Sequence, residues 1–179
     1  MKKIMIASDI HGSAYYCRKM LERFHEEQAD MLVLLGDILY HGPRNDLPQE
    51  YAPKEVIALL NPLREKILCV RGNCDTEVDQ MVLDFNVLAE VCHMYVNDRH
   101  LVIAHGHKLD EKNTPALADG DYLICGHTHI PCCETRDGYI YINPGSVSIP
   151  KMDSPHSYMI FSDHFYWKDM DGNIYKTQD

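Results

Sequence analysis

Carboxylate, amide and imidazole side chains recur along this 179-residue chain in short segments that also contain glycine. The segments are Ser8-Asp9-Ile10-His11-Gly12, Gly36-Asp37, Arg71-Gly72-Asn73-Cys74-Asp75, His105-Gly106-His107 and Gly126-His127-Thr128-His129. Oxygen and nitrogen donors without thiolate suit a divalent ion such as Mn²⁺, Zn²⁺ or Fe²⁺, and they exclude a structural zinc site of the cysteine-rich type. Each segment alone is a weak motif, and the ordered set of five is the strong signal.

Each of these segments follows a short apolar run that predicts a β-strand. The runs span residues 3–7, 31–35, 66–70, 100–104 and 123–125. Helices are predicted between the first three strands, from Ser13 to about Gln28 and from Pro53 to Leu63. This βαβαβ order favours parallel pairing, and ligands bind at the carboxyl ends of the strands in an open α/β sheet. We therefore expect the polar segments to converge in space.

The second half of the chain is richer in strand signals than in helix signals. Strands are predicted at 91–96, 132–135, 139–142 and 157–161, with a last hairpin within 165–175. Asn97-Asp98 and Asp137-Gly138 are turn signals that predict two further hairpins. No repeat or linker composition divides the chain, so residues 1–179 are predicted to form one domain.

The chain is acidic, with 17 Lys and Arg against 27 Asp and Glu and a formal net charge of −10. Binding along a nucleic-acid backbone needs a basic face, so stable nucleic-acid binding is not expected, whereas a single phosphate group is allowed as substrate. No apolar run approaches the roughly 20 residues of a membrane span, so no membrane partner is expected either. Seven cysteines without a CxxC spacing predict reduced thiols and a cytoplasmic location.

The order of the polar motifs resembles that of the calcineurin-like metallophosphoesterase superfamily. Further segments are similar to the small bacterial YfcE-type phosphodiesterases, and the resemblance runs from residue 3 to about 160. These segments are His41-Gly42-Pro43-Arg44-Asn45, Tyr51-Ala52-Pro53, Glu77-Val78-Asp79-Gln80-Met81 and Asn143-Pro144-Gly145-Ser146-Val147-Ser148-Ile149-Pro150. The resemblance implies an α/β fold, a four-layer α/β/β/α sandwich of two mixed sheets flanked by helices on both sides.

The same resemblance implies a binuclear centre with two divalent metal ions per chain. The implied ligands are Asp9, His11 and His129 for one ion, Asn73, His105 and His127 for the other, and Asp37 as the bridge. Manganese is the expected metal, with zinc, iron, nickel and magnesium as alternatives. Two ions about 3.5–4 Å apart can clamp the attacking and leaving oxygens of a phosphoryl transfer. A bridging hydroxide would be the nucleophile on a small phosphodiester.

Cys74 departs from the pattern of most of the superfamily, in which a histidine at this position stabilises the transition state or protonates the leaving alkoxide. A thiol is a poor proton donor compared with imidazolium and supplies no positive charge. The same cysteine occurs in the YfcE-type group, so it resembles a subfamily feature. His107 and His41 are the candidates for the missing acid, although His107 could instead orient the metal ligands and His41 could be a loop residue. Asn73, Cys74 and His107 are thus the expected catalytic residues.

Arg44, Asn45 and Arg71 are the candidate substrate-binding residues, because guanidinium groups fit phosphate oxygens and their loops adjoin the ligands. Alternatively, Arg44 is solvated and Arg71 pairs with a nearby carboxylate. Asp75 is expected to support its loop. The turn at 143–146 either donates backbone amides towards the site or is a plain turn.

Three functions compete on these grounds. A metal-dependent phosphodiesterase is preferred over a phosphomonoesterase, because a monoester carries more charge and gains more from the cationic partner that Cys74 does not provide. The third is a non-catalytic binding scaffold of the retromer-subunit type, which has a similar fold and also lacks that histidine. Intact His11 argues against the scaffold. Family resemblance suggests a homo-oligomer, a dimer or a tetramer.

Overall fold

The computed structural model describes residues 1–110 and 113–178. The strands in chain order are β1 (Ile4–Ala7), β2 (Met31–Leu34), β3 (Ile67–Cys69), β4 (Val91–Val96), β5 (Arg99–Ala104), β6 (Tyr122–Ile124), β7 (Cys132–Arg136), β8 (Tyr139–Asn143), β9 (Ser157–Phe161), β10 (Phe165–Asp169) and β11 (Ile174–Gln178). The helices are α1 (Ala14–Glu26), α2 (Pro53–Leu60) and α3 (Glu77–Gln80), with a 3₁₀ helix at Asn61–Lys66. No helix in the described part of the chain is long and apolar enough to cross a membrane.

The strands form two mixed sheets. The six-stranded sheet has the order β11-β10-β9-β1-β2-β3, in which β1, β2 and β3 are parallel and the other pairs are antiparallel. The five-stranded sheet has the order β4-β5-β6-β8-β7, with β5, β6 and β8 parallel. The parallel βαβαβ unit predicted for the first half is therefore confirmed, as are the three predicted hairpins.

The helix bounds follow local signals in the sequence. Ser13 caps α1, its hydroxyl oxygen accepting a hydrogen bond from the amide of Tyr16 at 3.3 Å. Pro53 opens α2, where the missing N–H is unneeded. Pro62 then removes a donor from the continuing turn, so α2 ends at Leu60 and a 3₁₀ helix follows where a single helix to Leu63 was expected.

Alternation along β1 shows how the layers separate. Ile4 and Ile6 point between the two sheets, whereas Met5 and Ala7 point towards the helices. The inter-sheet core is built from both sheets and includes Trp167, whose ring N–H donates to the Asn143 carbonyl at 2.8 Å. The sandwich therefore has one core between its sheets and another between the six-stranded sheet and the helices.

The predicted fold class, an α/β protein of two mixed sheets with flanking helices, is confirmed. One layer differs from the expectation. The described residues of the 105–121 loop contain no helix, and Leu109 and Leu117 of that loop pack on the outer face of the five-stranded sheet. Loop side chains cover this face where the resemblance implied a helical layer.

Truncation of Ile103 tests the inter-sheet core. Ile103 is fully buried between the sheets, so Ile103→Ala should lower the free energy of unfolding by about 2–5 kcal/mol. Ile174→Ala is the matched control, because Ile174 is 53% exposed and its truncation should cost about 0.5 kcal/mol or less. Urea unfolding followed by Trp167 fluorescence at one protein concentration measures both. Equal losses would contradict the assignment of the core.

Candidate metal centre

The polar segments meet at one end of the sandwich because the parallel strands of both sheets end there. The loops after β1 and β2 are joined by the amide of His11, which donates to the Asp37 carbonyl at 2.9 Å. The loops after β5 and β6 are joined by the amide of Gly126, which donates to the His105 carbonyl at 3.0 Å. The predicted convergence of the polar segments is thus observed.

Five of the polar residues have a backbone conformation that side chains disfavour. Their φ angles lie between 49° and 65°, in the left-handed region: Asp9, His11, Asp37, His127 and His129. Each such residue costs on the order of 1–2 kcal/mol and persists only where the surrounding structure imposes it. The chain therefore stores strain at the residues that carry the candidate chemistry.

The Asp9 carboxylate is fully buried and uses its two oxygens differently. Oδ2 accepts hydrogen bonds from the Ser8 hydroxyl at 2.6 Å and from the His127 amide at 3.1 Å. Oδ1 has no hydrogen-bond partner among the described residues and faces Nε2 of His129 at 3.3 Å and of His11 at 3.6 Å. A buried carboxylate oxygen without a donor is costly, so this atom is suited to a cation.

Three buried imidazoles share one arrangement. Their Nδ1 atoms donate to backbone carbonyls: His11 to Tyr40 at 2.7 Å, His105 to Leu35 at 2.6 Å, and His129 to Ile149 at 2.6 Å. A carbonyl only accepts, so Nδ1 carries a proton, and Nε2 of each ring points into the cluster, where it offers a lone pair whenever the ring is neutral. The Nε2 atoms of His11 and His129 are 3.3 Å apart, and two facing lone pairs fit a metal ion between them.

The charges of the cluster are strongly linked. Burial opposes ionisation of Asp9, yet the nearby imidazoles of His11 and His129 hold the pKa of this carboxyl well below its usual range. Burial likewise acts to lower the pKa of His105, but Asp37 and Asp9 raise it to about 9. The carboxylates and imidazoles thus share protons, and a metal ion would compete with these protons for the same lone pairs.

Asp37 lies between the two groups of imidazoles. Its Oδ1 accepts from the Cys74 amide at 2.7 Å, while Oδ2 is 3.6 Å from Nε2 of His11 and 3.5 Å from Nε2 of His105. Nε2 of His105 is in turn 3.1 Å from Oδ1 of Asn73. Oδ2 of Asp37 therefore faces two imidazoles that were predicted to bind different metal ions, His11 one ion and His105 the other.

Candidate ligand sets within the described residues overlap in the same way. In each set the ligand atoms lie within 4.8 Å of one another: Asp9, His11 and His129; His11, Asp37 and Cys74; Asp9, Asp37 and His105. His127 belongs to none of these sets, but its ring centroid is 5.1 Å from that of His105 and it is half-buried. The tight cluster thus contains five of the seven predicted ligands, with Asn73 and His127 at its edge.

Asp75 holds the loops on which this geometry depends. Its carboxylate accepts three backbone hydrogen bonds, from Asp37 at 2.8 Å, Ile38 at 2.9 Å and Gly72 at 2.7 Å. Burial raises the pKa of Asp75 to about 6 although the three amides lower it. The expectation that Asp75 supports its loop is met, and it fixes the Asp37 backbone as well.

Two glycines are required by close approach. A Cβ on Gly72 would lie 2.1 Å from Oδ1 of Asp37, and a Cβ on Gly126 would lie 1.9 Å from the Ser8 hydroxyl oxygen. Neither neighbour can move without breaking a hydrogen bond to a carboxylate, because Ser8 donates to Asp9 and Cys74 donates to Asp37. Any larger residue would displace a candidate ligand.

The turn at 143–146 contributes side chains where backbone amides were considered. The Ser146 and Ser148 hydroxyls donate to the Asp9 carbonyl at 2.9 and 3.0 Å. The Asn143 amide group donates to the Gly126 carbonyl at 2.7 Å and to the Thr128 hydroxyl at 3.1 Å. This segment therefore fixes the two loops that carry Asp9, His127 and His129.

Two cavities flank the cluster. The first, which we call the Arg44 cavity, has a volume of about 420 Å³ and includes His11, Asp37, Arg44, Asn45, Asn73, Cys74, His127, His129 and Lys151 in its lining. The second, the His105 cavity, has a volume of about 830 Å³ and includes Arg71, Glu90, Val91, His105, His107 and Lys108. The three predicted substrate-binding residues are thus divided, since Arg71 lines a different cavity from Arg44 and Asn45.

The cationic side chains of the two cavities differ in their partners. Arg71 donates from Nε to the Asp75 carbonyl at 3.2 Å and pairs with Glu77 at 3.5 Å, which is the alternative weighed for it. Arg44 has no ion-pair partner within residues 1–110 and 113–178, and neither has Lys151, which the sequence analysis missed. The sequence feature that could have identified Lys151 is its position directly after the 143–150 segment. In the structure, the Lys151 amide donates to the His129 carbonyl.

Cys74 and the two histidines considered for the missing acid, His107 and His41, lie apart from one another. Cys74 lines the Arg44 cavity, and burial together with Asp37 and Asp75 raises the pKa of its thiol, so the thiol keeps its proton. His107 lines the His105 cavity. His41 lines neither cavity and packs edge-on against the Tyr40 and Tyr51 rings, as expected of a loop residue.

Comparison with known proteins agrees with this geometry. The model of the calcineurin-like phosphoesterase superfamily domain matches residues 1–163, and the chain belongs to this superfamily. Phosphodiesterase YfcE of Escherichia coli K12 is 49% identical over 158 residues, which cover 88% of this chain and 86% of that protein.

Solved structures extend the comparison to the fold. The structure of an E. coli phosphoesterase matches with a TM-score of 0.93 and 44% identity over 98% of this chain and 97% of that one. Vacuolar protein sorting 29 from Cryptosporidium parvum matches with a TM-score of 0.66 and 17% identity over 99% and 96%. The second likeness concerns the fold alone.

Asp75→Asn tests the support of the cluster. An asparagine side chain has one carbonyl oxygen in place of two carboxylate oxygens, so at least one of the three amides loses its acceptor and faces an NH₂ group. Mn²⁺ affinity should therefore fall about 10–100-fold although every predicted ligand is kept. Asp79→Asn is the control, because Asp79 caps α3 through Thr76. Calorimetric titration of chelator-treated protein with Mn²⁺ measures the affinity. Equal affinities for the two variants would contradict this role.

Proposed function

We propose that this protein hydrolyses a small phosphodiester at a centre of two divalent metal ions, with the seven ligands assigned in the sequence analysis. The observation that carries the proposal is the position of Asp37, whose Oδ2 is 3.6 Å from Nε2 of His11 and 3.5 Å from Nε2 of His105. The likeness to a phosphodiesterase that is 49% identical supports the reaction class.

The donor set suits the expected metals. Carboxylate, amide and imidazole ligands suit divalent ions of this kind, and manganese is the proposed metal, with zinc, iron, nickel and magnesium as alternatives. When bound, two such ions supply Lewis acidity and an activated water for attack on phosphorus. The protein's part is to hold Asp9 and Asp37 ionised, which their imidazole neighbours favour. It also aligns the imidazole rings through the carbonyl acceptors of their Nδ1 protons.

The Arg44 cavity is the proposed place of the substrate phosphate. Arg44 and Lys151 line it without ion-pair partners in the described chain, so their charges are available to phosphate oxygens. Asn45 donates to the His41 carbonyl at 2.8 Å and thereby shapes the loop that carries Arg44.

Diester specificity follows from the charge of the groups around the phosphate. A monoester dianion needs a cationic donor near its leaving oxygen, and Cys74 is a neutral thiol in that cavity. Asn73 donates to the Cys74 sulfur at 3.2 Å, which leaves its Oδ1 towards His105. A diester with a good leaving group depends less on such a donor.

Phosphomonoesterase and scaffold functions are the alternatives, and the relative rates on a diester and a monoester, together with the metal content, distinguish them. The cytoplasmic location and the homo-oligomer stay predictions.

Removal of the Asp37 charge tests the proposed centre. With Mn²⁺, wild type should hydrolyse bis(4-nitrophenyl) phosphate faster than 4-nitrophenyl phosphate, and Asp37→Asn should lower the diester rate by at least about 100-fold. Asp84→Asn, at an exposed residue, is the control and should keep the rate. Elemental analysis of bound metal accompanies the assay. Preference for the monoester would favour a phosphomonoesterase, and absence of both metal and turnover would favour the scaffold.

Substitution of Cys74 tests the reason given for diester specificity. Cys74→His should increase the rate on 4-nitrophenyl phosphate by about 10-fold or more, because an imidazole can donate a proton that the thiol holds. Cys74→Ser, which is similar in size to the wild-type residue, should leave the ratio of diester to monoester rates within about 3-fold. Steady-state rates from pH 6 to 9 give both ratios. A gain in Cys74→Ser equal to that in Cys74→His would contradict the explanation.

A further inference from the structure

The His105 cavity differs in character from the Arg44 cavity. Each of its two long cationic side chains has a carboxylate partner: Lys108 pairs with Glu90 at 2.8 Å and Arg71 pairs with Glu77 at 3.5 Å. These cations are therefore neutralised locally. A cavity with such paired charges does not favour a second phosphate, whereas it can accept an uncharged group.

The size and walls of the His105 cavity suit an organic group. Its volume of about 830 Å³ lies within the range of about 300–1,000 Å³ for small-molecule pockets. Val91 and Leu109 provide apolar wall, and Val91 is 39% exposed, which leaves surface for a ligand to cover. His105 belongs both to this wall and to the ligand cluster.

His107 offers one polar atom to this cavity. Its Nδ1 is buried without a hydrogen-bond partner in the described chain, and a buried N–H without an acceptor costs more than a buried lone pair. Nε2 is therefore the ring nitrogen that can serve as a hydrogen-bond donor. His107 thus presents an N–H donor on a wall of the cavity, with its ring centroid 5.3 Å from that of His105.

We propose that the His105 cavity binds an uncharged, ring-sized organic substituent of the phosphodiester, with Val91 and His107 as specificity-determining residues. This inference rests on the proposed function, because it takes the substrate phosphate to lie in the Arg44 cavity against the ligand cluster, with its substituent directed past His105. Val91 contacts the ring, and His107 donates from Nε2 to an acceptor on the substituent. The substrate class is then a diester with an aromatic or heterocyclic substituent, distinct from a diester of short alkyl groups.

Binding of two phosphonates to the Mn²⁺-loaded protein tests the cavity. Phenylphosphonate and methylphosphonate share the phosphonate group and differ in the ring, so wild type should bind the phenyl compound about 10-fold more tightly. Val91→Trp places a large side chain over the apolar wall that the ring would cover and should reduce this preference below about 3-fold. Val82→Trp is the control, since Val82 is 41% exposed and lies outside the lining. Val91→Phe and melting temperatures guard against misfolding of Val91→Trp.

The outcomes separate this inference from the proposed function. Phosphonates are not hydrolysed, so their affinities decide the cavity whether or not the protein turns over a diester. Ring preference without diester hydrolysis would contradict only the proposed function. Equal affinity of wild type for the two phosphonates, or full preference in folded Val91→Trp and Val91→Phe, would overturn the inference.

The role of His107 has its own readout. His107→Gln keeps an N–H donor and should leave KM for bis(4-nitrophenyl) phosphate within about 3-fold, whereas His107→Leu should raise KM about 10-fold with a smaller change in kcat. Equal KM values for the two variants would remove His107 from the specificity-determining pair. A loss of kcat that His107→Gln does not restore would point to catalysis and overturn the specificity role.

Discussion

Carboxylate oxygens and imidazole lone pairs face one another in a buried cluster, and this electrostatic constraint explains much of the surrounding structure. Oδ1 of Asp9 and Oδ2 of Asp37 have no backbone donor and point at imidazole nitrogens, while the second oxygen of each carboxylate accepts hydrogen bonds from its own surroundings. Such an arrangement is unfavourable in a dry interior unless protons or cations occupy the space between the groups. The cluster is therefore suited to binding a cation.

Maintaining this cluster requires structural support from well beyond the ligands. Five of the polar residues in these segments adopt left-handed backbone conformations, and two glycines beside them lie where no Cβ has room. Asp75 fixes the loops after β2 and β3, and the Ser146 and Ser148 hydroxyls fix the Asp9 carbonyl. The strain is local to the loops, because the strands that lead into them are buried in ordinary apolar cores. A rigid two-sheet sandwich thus holds a conformation that the loops would not adopt alone.

In the proposed function, the two cavities divide the recognition of a substrate between charge and shape. The Arg44 cavity holds cationic side chains without partners in the described chain, whereas the cations of the His105 cavity are neutralised by Glu77 and Glu90. A negatively charged phosphate would suit the cations of the first cavity, and an uncharged substituent would suit the neutralised second cavity. Cys74 is consistent with this division, because its neutral thiol places no positive charge beside the oxygen that becomes negative as the leaving group departs.

The sequence by itself determined the strands, the parallel first half, the hairpins and the identity of the clustered donors, because these depend on residue type and on periodicity along a short stretch of chain. It also predicted the support role of Asp75. Only the tertiary structure decided that Arg71 is engaged by Glu77, that Lys151 lines the Arg44 cavity, that serine hydroxyls hold the Asp9 carbonyl, and that loop residues cover the outer sheet. Those features are distances between segments far apart in the chain. They follow from how the two sheets pack, and no local pattern of residues encodes such distances.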